Sequence, residues 1–341
     1  MSRSVNFGLW YDFRNPKQTV SFETLYRQSL DQIVWAEDLG FDSVWLTEHH
    51  FCDDGYTPSP LVLAAAIGER TGRLRIGTNL MLLPLADPVR LAEDAASLAI
   101  LTDGRFDLGV GLGYREVEFN YFGRKLVNRP SLMEEGVAIL RQAWSGAPVT
   151  FDGRRFQIDD LRVTPVPRTP PRIFMGGMAE PAIARAARLG DGFLSTGGIG
   201  HHVYVAALET PSEGAICAGN WAIIAADPER EAARLGEHVL YQTNQYVSWG
   251  AFGPPDEVPL FPDAESAIRD GLYELWDADL AVTRLTEMLE ATPQIIDVHF
   301  WAQFPGEPVD SGCRRIEYIA DHVLPAVRSN LAGAAREGEN G

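Results

Sequence analysis

The sequence predicts an α/β protein, a closed (β/α)8 barrel of parallel strands. Three observations lead there. Short apolar runs alternate with stretches of helical spacing, the pattern of βαβ units and a parallel sheet. About eight such runs can be counted, which favours closure over an open doubly wound sheet. The chain has 341 residues, 45% of them hydrophobic, enough for one large barrel, since such barrels often run past ~250 residues as a single unit.

The elements follow in order. A strand is expected over 5–10, then a helix over 22–39 stopped by Gly40. A second strand covers 41–46. The helix over 58–71 is entered through Thr57-Pro58 and closed by Gly72. The third strand covers 74–80. Asp87 caps a helix that has Pro88 in its first position and runs to about Leu101. The fourth strand is 105–110. Ser131 opens a helix to Trp144, with Glu134 placed for a capping box.

The rhythm then breaks. Residues 146–171 hold a hairpin at 149–156 and a proline-rich stretch, an insertion after the fourth β/α unit. Strands resume at 172–175, with a helix over 179–189 ending at Gly190, then at 192–194 and 221–225. Asp227-Pro228 starts another helix. The last strand is 295–301 and the last helix 313–327. Between them, 241–279 reads as a long loop with short helices near the seventh strand, where a barrel carries a lid. The barrel domain is expected over 1–330, with a flexible tail over 331–341.

A net charge of −18 without a Lys/Arg cluster excludes a nucleic-acid partner. Cys52, Cys217 and Cys313 are scattered, as in a reducing compartment. No apolar run approaches the ~20 residues of a membrane span, and the first residues lack the apolar core of a signal peptide. The expectation is a cytoplasmic protein without membrane contact.

In such a barrel the chemistry lies at the carboxyl ends of the strands. Glu48-His49-His50-Phe51 ends the second strand. Adjacent histidines beside a carboxylate suggest a metal, but successive strand residues point to opposite faces, so the pair cannot share an ion and no metal site is expected. One histidine is then free for proton transfer or a ligand hydrogen bond, and the other is structural. Gly109-Val110-Gly111-Leu112-Gly113 has the wrong spacing for a dinucleotide fingerprint. It marks either close approach of a ligand or a tight bend at the rim. Gly176-Gly177-Met178-Ala179 precedes a helix and suits either a phosphate at free amides or a plain turn. No GxSxG elbow and no P-loop occur, so a cofactor is expected to carry the chemistry. Trp10, Tyr11, His50, Tyr114, Trp249 and Phe252 are candidates for a roomy aromatic pocket or for core.

Taken together, these segments resemble the bacterial luciferase family. The resemblance rests on Phe41 through Phe51, on Ile76 through Pro84 with Pro88-Val89-Arg90 and Glu93-Asp94, and on Asp103 through Gly113 with Glu118-Phe119 and Phe122-Gly123. It runs from about residue 5 to 145, resumes at 171–193 and thins beyond. It implies a TIM barrel that dimerises, and a flavin at the carboxyl face: reduced FMN, supplied by a separate reductase, reacting with dioxygen to oxidise a small-molecule substrate. It implies His49 as the catalytic histidine, supported by Glu48. Asn79-Leu80 matches the family's non-proline cis peptide, with Gly111 and Gly113 beside the ring. Gly176, Gly177, Met178 and Ala179 match the phosphate turn, with Arg115 or Arg185 as helpers. The sequence departs at Leu112, where luciferase has an arginine, at Met178 and Pro181, where it has hydroxyl residues, and at Gly111, where it has a cysteine. Relatives on this barrel use the deazaflavin F420 for hydride transfer, which is the alternative cofactor. A flavin-binding partner subunit without turnover is a further alternative, and a metal-dependent hydrolase a last one.

Overall fold

A computed structural model describes residues 4–339. The first half contains β1 (Asn6–Tyr11), α1 (Phe22–Asp38), β2 (Ser43–Leu46), α2 (Pro60–Arg70), β3 (Arg75–Thr78), α3 (Pro88–Leu101), β4 (Phe106–Val110), α4 (Glu116–Tyr121) and α5 (Arg129–Ala143). Then come β5 (Val149–Asp152), β6 (Gln157–Leu161), β7 (Arg172–Gly176), α6 (Glu180–Leu189), β8 (Gly192–Thr196), α7 (His201–Ala207), β9 (Ile216–Asn220) and β10 (Ala222–Ile224). The rest is α8 (Pro228–Ser248), α9 (Ala264–Arg269), β11 (Glu274–Trp276), α10 (Ala278–Ala291), β12 (Ile295–Trp301), α11 (Val309–Tyr318) and α12 (Leu324–Glu339).

Among the described residues, eight parallel strands close a barrel in the order β1-β12-β9-β8-β7-β4-β3-β2. Strand alternation sorts each strand into two cores. Outward residues such as Phe7, Leu9, Val44 and Ile76 join the helices in the main core. Inward residues Trp10, Trp45, Phe174, Leu194, Cys217 and Trp301 fill the barrel. Rings of this size leave their neighbours no room. A Cβ on Gly77 would lie 2.3 Å from the Trp45 ring, so the strand beside that indole carries none. At the amino-terminal end Asp107 receives the guanidinium groups of both Arg75 and Arg172, each at 2.8 Å. These pairs tie β3, β4 and β7 together at the floor.

Caps account for several helix starts. The Ser21 side chain accepts from Thr24 N, and Asp87 accepts from Val89 N and Arg90 N, with Pro88 in the first turn. The insertion is a hairpin of β5 and β6 between α5 and β7, as its turn residues predict.

Four sequence expectations are corrected. The seventh barrel strand is β9, not 221–225. Those residues form β10, which pairs with β11 outside the barrel. Helix α5 starts at Arg129 with Pro130 in its first turn, so Ser131 is not its cap, and Glu134 pairs with Arg185 and Arg188 instead. Helix α8 runs on to Ser248, which shortens the expected loop. The last helical stretch begins at Val309 and reaches Glu339, through most of the segment expected to be a tail. Asn340 and Gly341, the end of that expected tail, lie outside the described residues. No helix among the described residues is long and apolar enough to cross a membrane.

Candidate active site

A cavity of about 620 Å³ opens at the carboxyl ends of the strands. That size falls within the range of small-molecule sites, about 300–1,000 Å³. Its wall collects Trp10 from β1, the 47–49 stretch after β2, Asn79 and Leu80 after β3, Gly113 and Tyr114 after β4, the Gly176–Ala179 turn after β7, and Thr196 from β8. Tyr246 of α8 and the segment 250–252 close one side.

His49 is part of this wall. The ring is 6% exposed and enclosed by Tyr56, Tyr114 and Trp249. Nδ1 lies 2.9 Å from Glu118 Oε1, and Nε2 lies 3.3 Å from the Tyr114 hydroxyl. Glu118 Oε1 also accepts from His50 N and from Arg115 Nη1. Burial pushes the His49 imidazole below its ordinary value, against the opposing pull of Glu118. Burial alone would raise Glu118. The His49 and Arg115 partners and the His50 amide outweigh it and hold the carboxyl below its usual range. The pair is therefore a carboxylate accepting from a neutral imidazole. A hydrogen on Nδ1 leaves Nε2 as an acceptor, and the Tyr114 hydroxyl, itself on the cavity wall, donates to it.

The neighbours of His49 take supporting positions. Both Glu48 oxygens are occupied, one by His50 Nε2 and the other by Leu82 N. Glu48 lines the cavity but holds the loop after β3 rather than presenting a free acid. His50 is absent from the wall. Its ring packs on Phe51 and Phe122, so alternation separates the two histidines as expected. Tyr11 is also off the wall, since the residue after inward Trp10 points outward, and its hydroxyl donates to Gln32 on α1. Trp249 borders the site through its contact with His49 and lies under Arg115, 4.3 Å from ring to guanidinium.

The Asn79–Leu80 peptide is cis. The Leu80 side chain fills the space beside Gly111, where a Cβ would lie 2.3 Å from Leu80 Cδ1. Gly111 thus reaches the cavity only through Leu80. Trp10 Nε1 donates to Asn79 O at 3.2 Å. On the far side, α6 starts at Glu180 after Ala179, which offers no side-chain cap; Pro181 has no N–H and Ala182 N bonds to Ala179 O, so within the first turn Glu180 N is the amide left open to an anion. The expected helpers are engaged elsewhere: Arg185 with Glu134, and Arg115 with Glu118, Cys52 and the His50 carbonyl. Arg129, the first residue of α5, is the one cation among the described wall residues.

Glu118 and Arg129 carry roles that sequence reasoning missed. Glu118 stood in a recognised segment, but nothing in the chain order tells that it folds back on His49. Arg129 looked like a surface residue before a proline. A third omission had a readable signal: Asp297, His299 and Trp301 alternate along an otherwise apolar strand, which places two polar groups inside the barrel.

The model of the luciferase-like monooxygenase family matches residues 5–235. A protein from Amycolatopsis mediterranei named F420-dependent glucose-6-phosphate dehydrogenase is 31% identical over 186 residues, 52% of this chain and 56% of that protein. The chain spans about half the length of the curated relatives it matches. The oxygenating constituent of 3,6-diketocamphane monooxygenase from Pseudomonas putida, solved with FMN, superposes with a TM-score of 0.74 at 19% identity over 95% of this chain and 99% of that one. An F420-dependent secondary alcohol dehydrogenase solved with an F420-acetone adduct gives 0.74 at 20% identity, again over 95% and 99%. At these identities the superpositions establish the fold.

Proposed function

The chain belongs to the luciferase-like monooxygenase family, and from that premise we propose that it is a monooxygenase that binds reduced FMN and oxidises a small, uncharged organic substrate. The observation that carries this reading is the convergence on one cavity of the Asn79–Leu80 ledge, the uncapped α6 turn with Arg129, and the His49–Glu118 pair.

The residues present fit the cofactor. Arg129 and the Gly176–Ala179 turn at the start of α6 line the same cavity, and a cation with an open helix end suits a single phosphate. Leu80, seated against Gly111, offers an apolar ledge for a flat ring. When bound, reduced FMN supplies electrons to dioxygen, so that one oxygen atom enters the substrate and the other leaves as water. The chain supplies the rest. His49 Nε2 takes a proton or a hydrogen bond at the cavity wall, beside the Tyr114 hydroxyl, and Glu118 stabilises the imidazolium that proton uptake creates. Trp10, Leu82, Leu112, Tyr246 and Phe252 exclude water and offer apolar contact. We extend the proposal to the partners: a separate reductase delivers the reduced flavin, and the chain acts as a homodimer.

F420 is the second reading, favoured by the names of the sequence relatives. Its oligoglutamate tail carries several carboxylates, however, and the wall holds one cation on a chain of net charge −18. Glucose 6-phosphate would need a second phosphate site beside the first. The test is a pair of fluorescence titrations, with FMN and with F420, followed by oxygen uptake with reduced FMN and a panel of uncharged ketones and arenes. Saturable FMN binding and substrate-dependent oxygen incorporation support the proposal. F420 binding alone, with oxidation of glucose 6-phosphate, overturns it.

A further inference from the structure

Beneath the cavity floor lies a polar chain that the reading above does not use. Asp297 and His299 on β12 point into the barrel and are 2% and 0% exposed. Asp297 accepts from Ser43 Oγ at 2.5 Å and from Trp45 Nε1 at 2.9 Å, and its Oδ1 lies 3.0 Å from His299 Nδ1. His299 Nε2 lies 2.9 Å from Asn79 Nδ2. Trp10 and Trp45 pack on the imidazole and hold its plane.

The hydrogens on this chain follow from the donor and acceptor inventory. An indole nitrogen only donates, so Asp297 Oδ1 is an acceptor. His299 Nδ1, on the same oxygen, must then carry a hydrogen. A neutral imidazole with its hydrogen on Nδ1 has a lone pair at Nε2. The Asn79 group 2.9 Å from Nε2 is its NH2, which a ring carrying its hydrogen on Nδ1 alone accepts. That fixes the carboxamide, whose other end, Oδ1, has no intramolecular partner and is not among the enclosed unpartnered atoms. Asn79 lines the cavity beside Leu80.

We propose that Asp297 and His299 are positioning residues that fix the Asn79 carboxamide as a hydrogen-bond acceptor toward the cavity, there to receive an N–H donor of the bound ring. The proposal rests on the flavin reading for its ligand, since a flavin presents ring N–H groups. A free Asn amide could offer a donor or an acceptor by rotating about its last bond. The relay removes that choice, so a ring offering only an acceptor at this place is rejected. Specificity of this kind comes from the cost of leaving a buried polar group unpaired.

Three measurements test it. Nitrogen-15 NMR of the histidines in the intact protein should place the His299 hydrogen on Nδ1. His299→Leu removes the acceptor that orients Asn79 and should weaken FMN binding about tenfold, the scale of one buried hydrogen bond. His299→Gln can turn its NH2 to Asp297 and its oxygen to Asn79, so it should bind FMN like the wild type. Thermal melting checks that both variants fold. A hydrogen on Nε2 in the wild type, or unchanged FMN binding by a folded His299→Leu protein, overturns the relay. Equal losses in the Leu and Gln variants also overturn it, because polarity would then not matter. Should the wild type bind neither FMN nor F420, the flavin reading falls, and the His299 hydrogen position decides the relay by itself.

Discussion

An imidazole that gives its Nδ1 hydrogen to a buried carboxylate keeps Nε2 unprotonated, and His49 does this through Glu118, with the Tyr114 hydroxyl against Nε2. Replacing His49 with Ala should lower turnover by about 10²–10⁴, the usual share of a positioned acid or base, with the FMN titration little changed. Glu118→Gln is more discriminating. Glu118 raises the His49 value, so its loss should move the acid limb of the rate profile to lower pH while the maximal rate falls. An acid limb that moves upward would contradict the assigned roles. His49 was legible because its strand and its motif both announce it. Glu118 was not, because its contact joins residues 69 positions apart, and only the fold of α4 over the barrel mouth makes it. Arg129 was hidden for the same reason.

The elements around the site act as spacers whose fit depends on missing side chains. Gly111 leaves room for Leu80, and Gly111→Ala puts a methyl 2.3 Å from Leu80 Cδ1. Leu80 can yield only by moving into the cavity or by shifting the ledge. FMN binding should weaken roughly tenfold while the melting temperature falls by a few degrees, since overpacking costs about 1–3 kcal/mol. Isothermal titration and a melting curve check this together. Element type was readable wherever caps and periodicity agree, as at Asp87-Pro88 or in the β5–β6 hairpin. The misplaced seventh strand shows the limit. Trp221 to Ile224 is the more apolar run, but β9 with its Ala218-Gly219 pair is the one that fits. A Cβ on Gly219 would lie 2.7 Å from the Trp10 ring, and that demand is set by β1, two strands round the barrel and far away in the chain.

At the scale of the whole molecule, ion pairs tie the loop after β12 to α8 and α11. Arg315 of α11 makes a bidentate pair with buried Glu307, both bonds at 2.6 Å, and Glu231 and Arg234 of α8 join it. Glu307 is held down to about 2, its attraction to Arg315 and the hydrogen bonds from Arg315 and Ser311 overcoming burial. Its folded value is depressed, so its contribution is present above the unfolded carboxylate value and is lost as pH falls toward 2. Glu307→Gln leaves Arg315 partly uncompensated and should cost about 3–5 kcal/mol, read by urea unfolding at neutral pH. Histidines act in a higher window. Burial holds His201 down to about 4 and His49 below its ordinary value. Unfolding therefore takes up protons at these two histidines below about pH 6.5, offset in part by buried Asp12, raised to about 7, which gives up its proton on unfolding. Stability should decline from there toward pH 4, by up to about 1.4 kcal/mol per pH unit for each proton taken up. A melting temperature that stays flat or rises on acidification over that interval would contradict these assignments. The fold class was legible at this scale because eight short runs separated by helices admit few topologies. The cofactor was not, because it depends on which cations reach one cavity.

The central claim is that this cavity holds FMN, with its phosphate at Arg129 and the α6 turn. The direct measurement is FMN binding by flavin fluorescence, with oxidised and anaerobically reduced flavin, in the wild type and in Arg129→Met. The account predicts saturable binding in the wild type and a loss of about tenfold or more in the variant, as for a charge-assisted hydrogen bond. Binding that is indifferent to Arg129, or confined to F420, would contradict it.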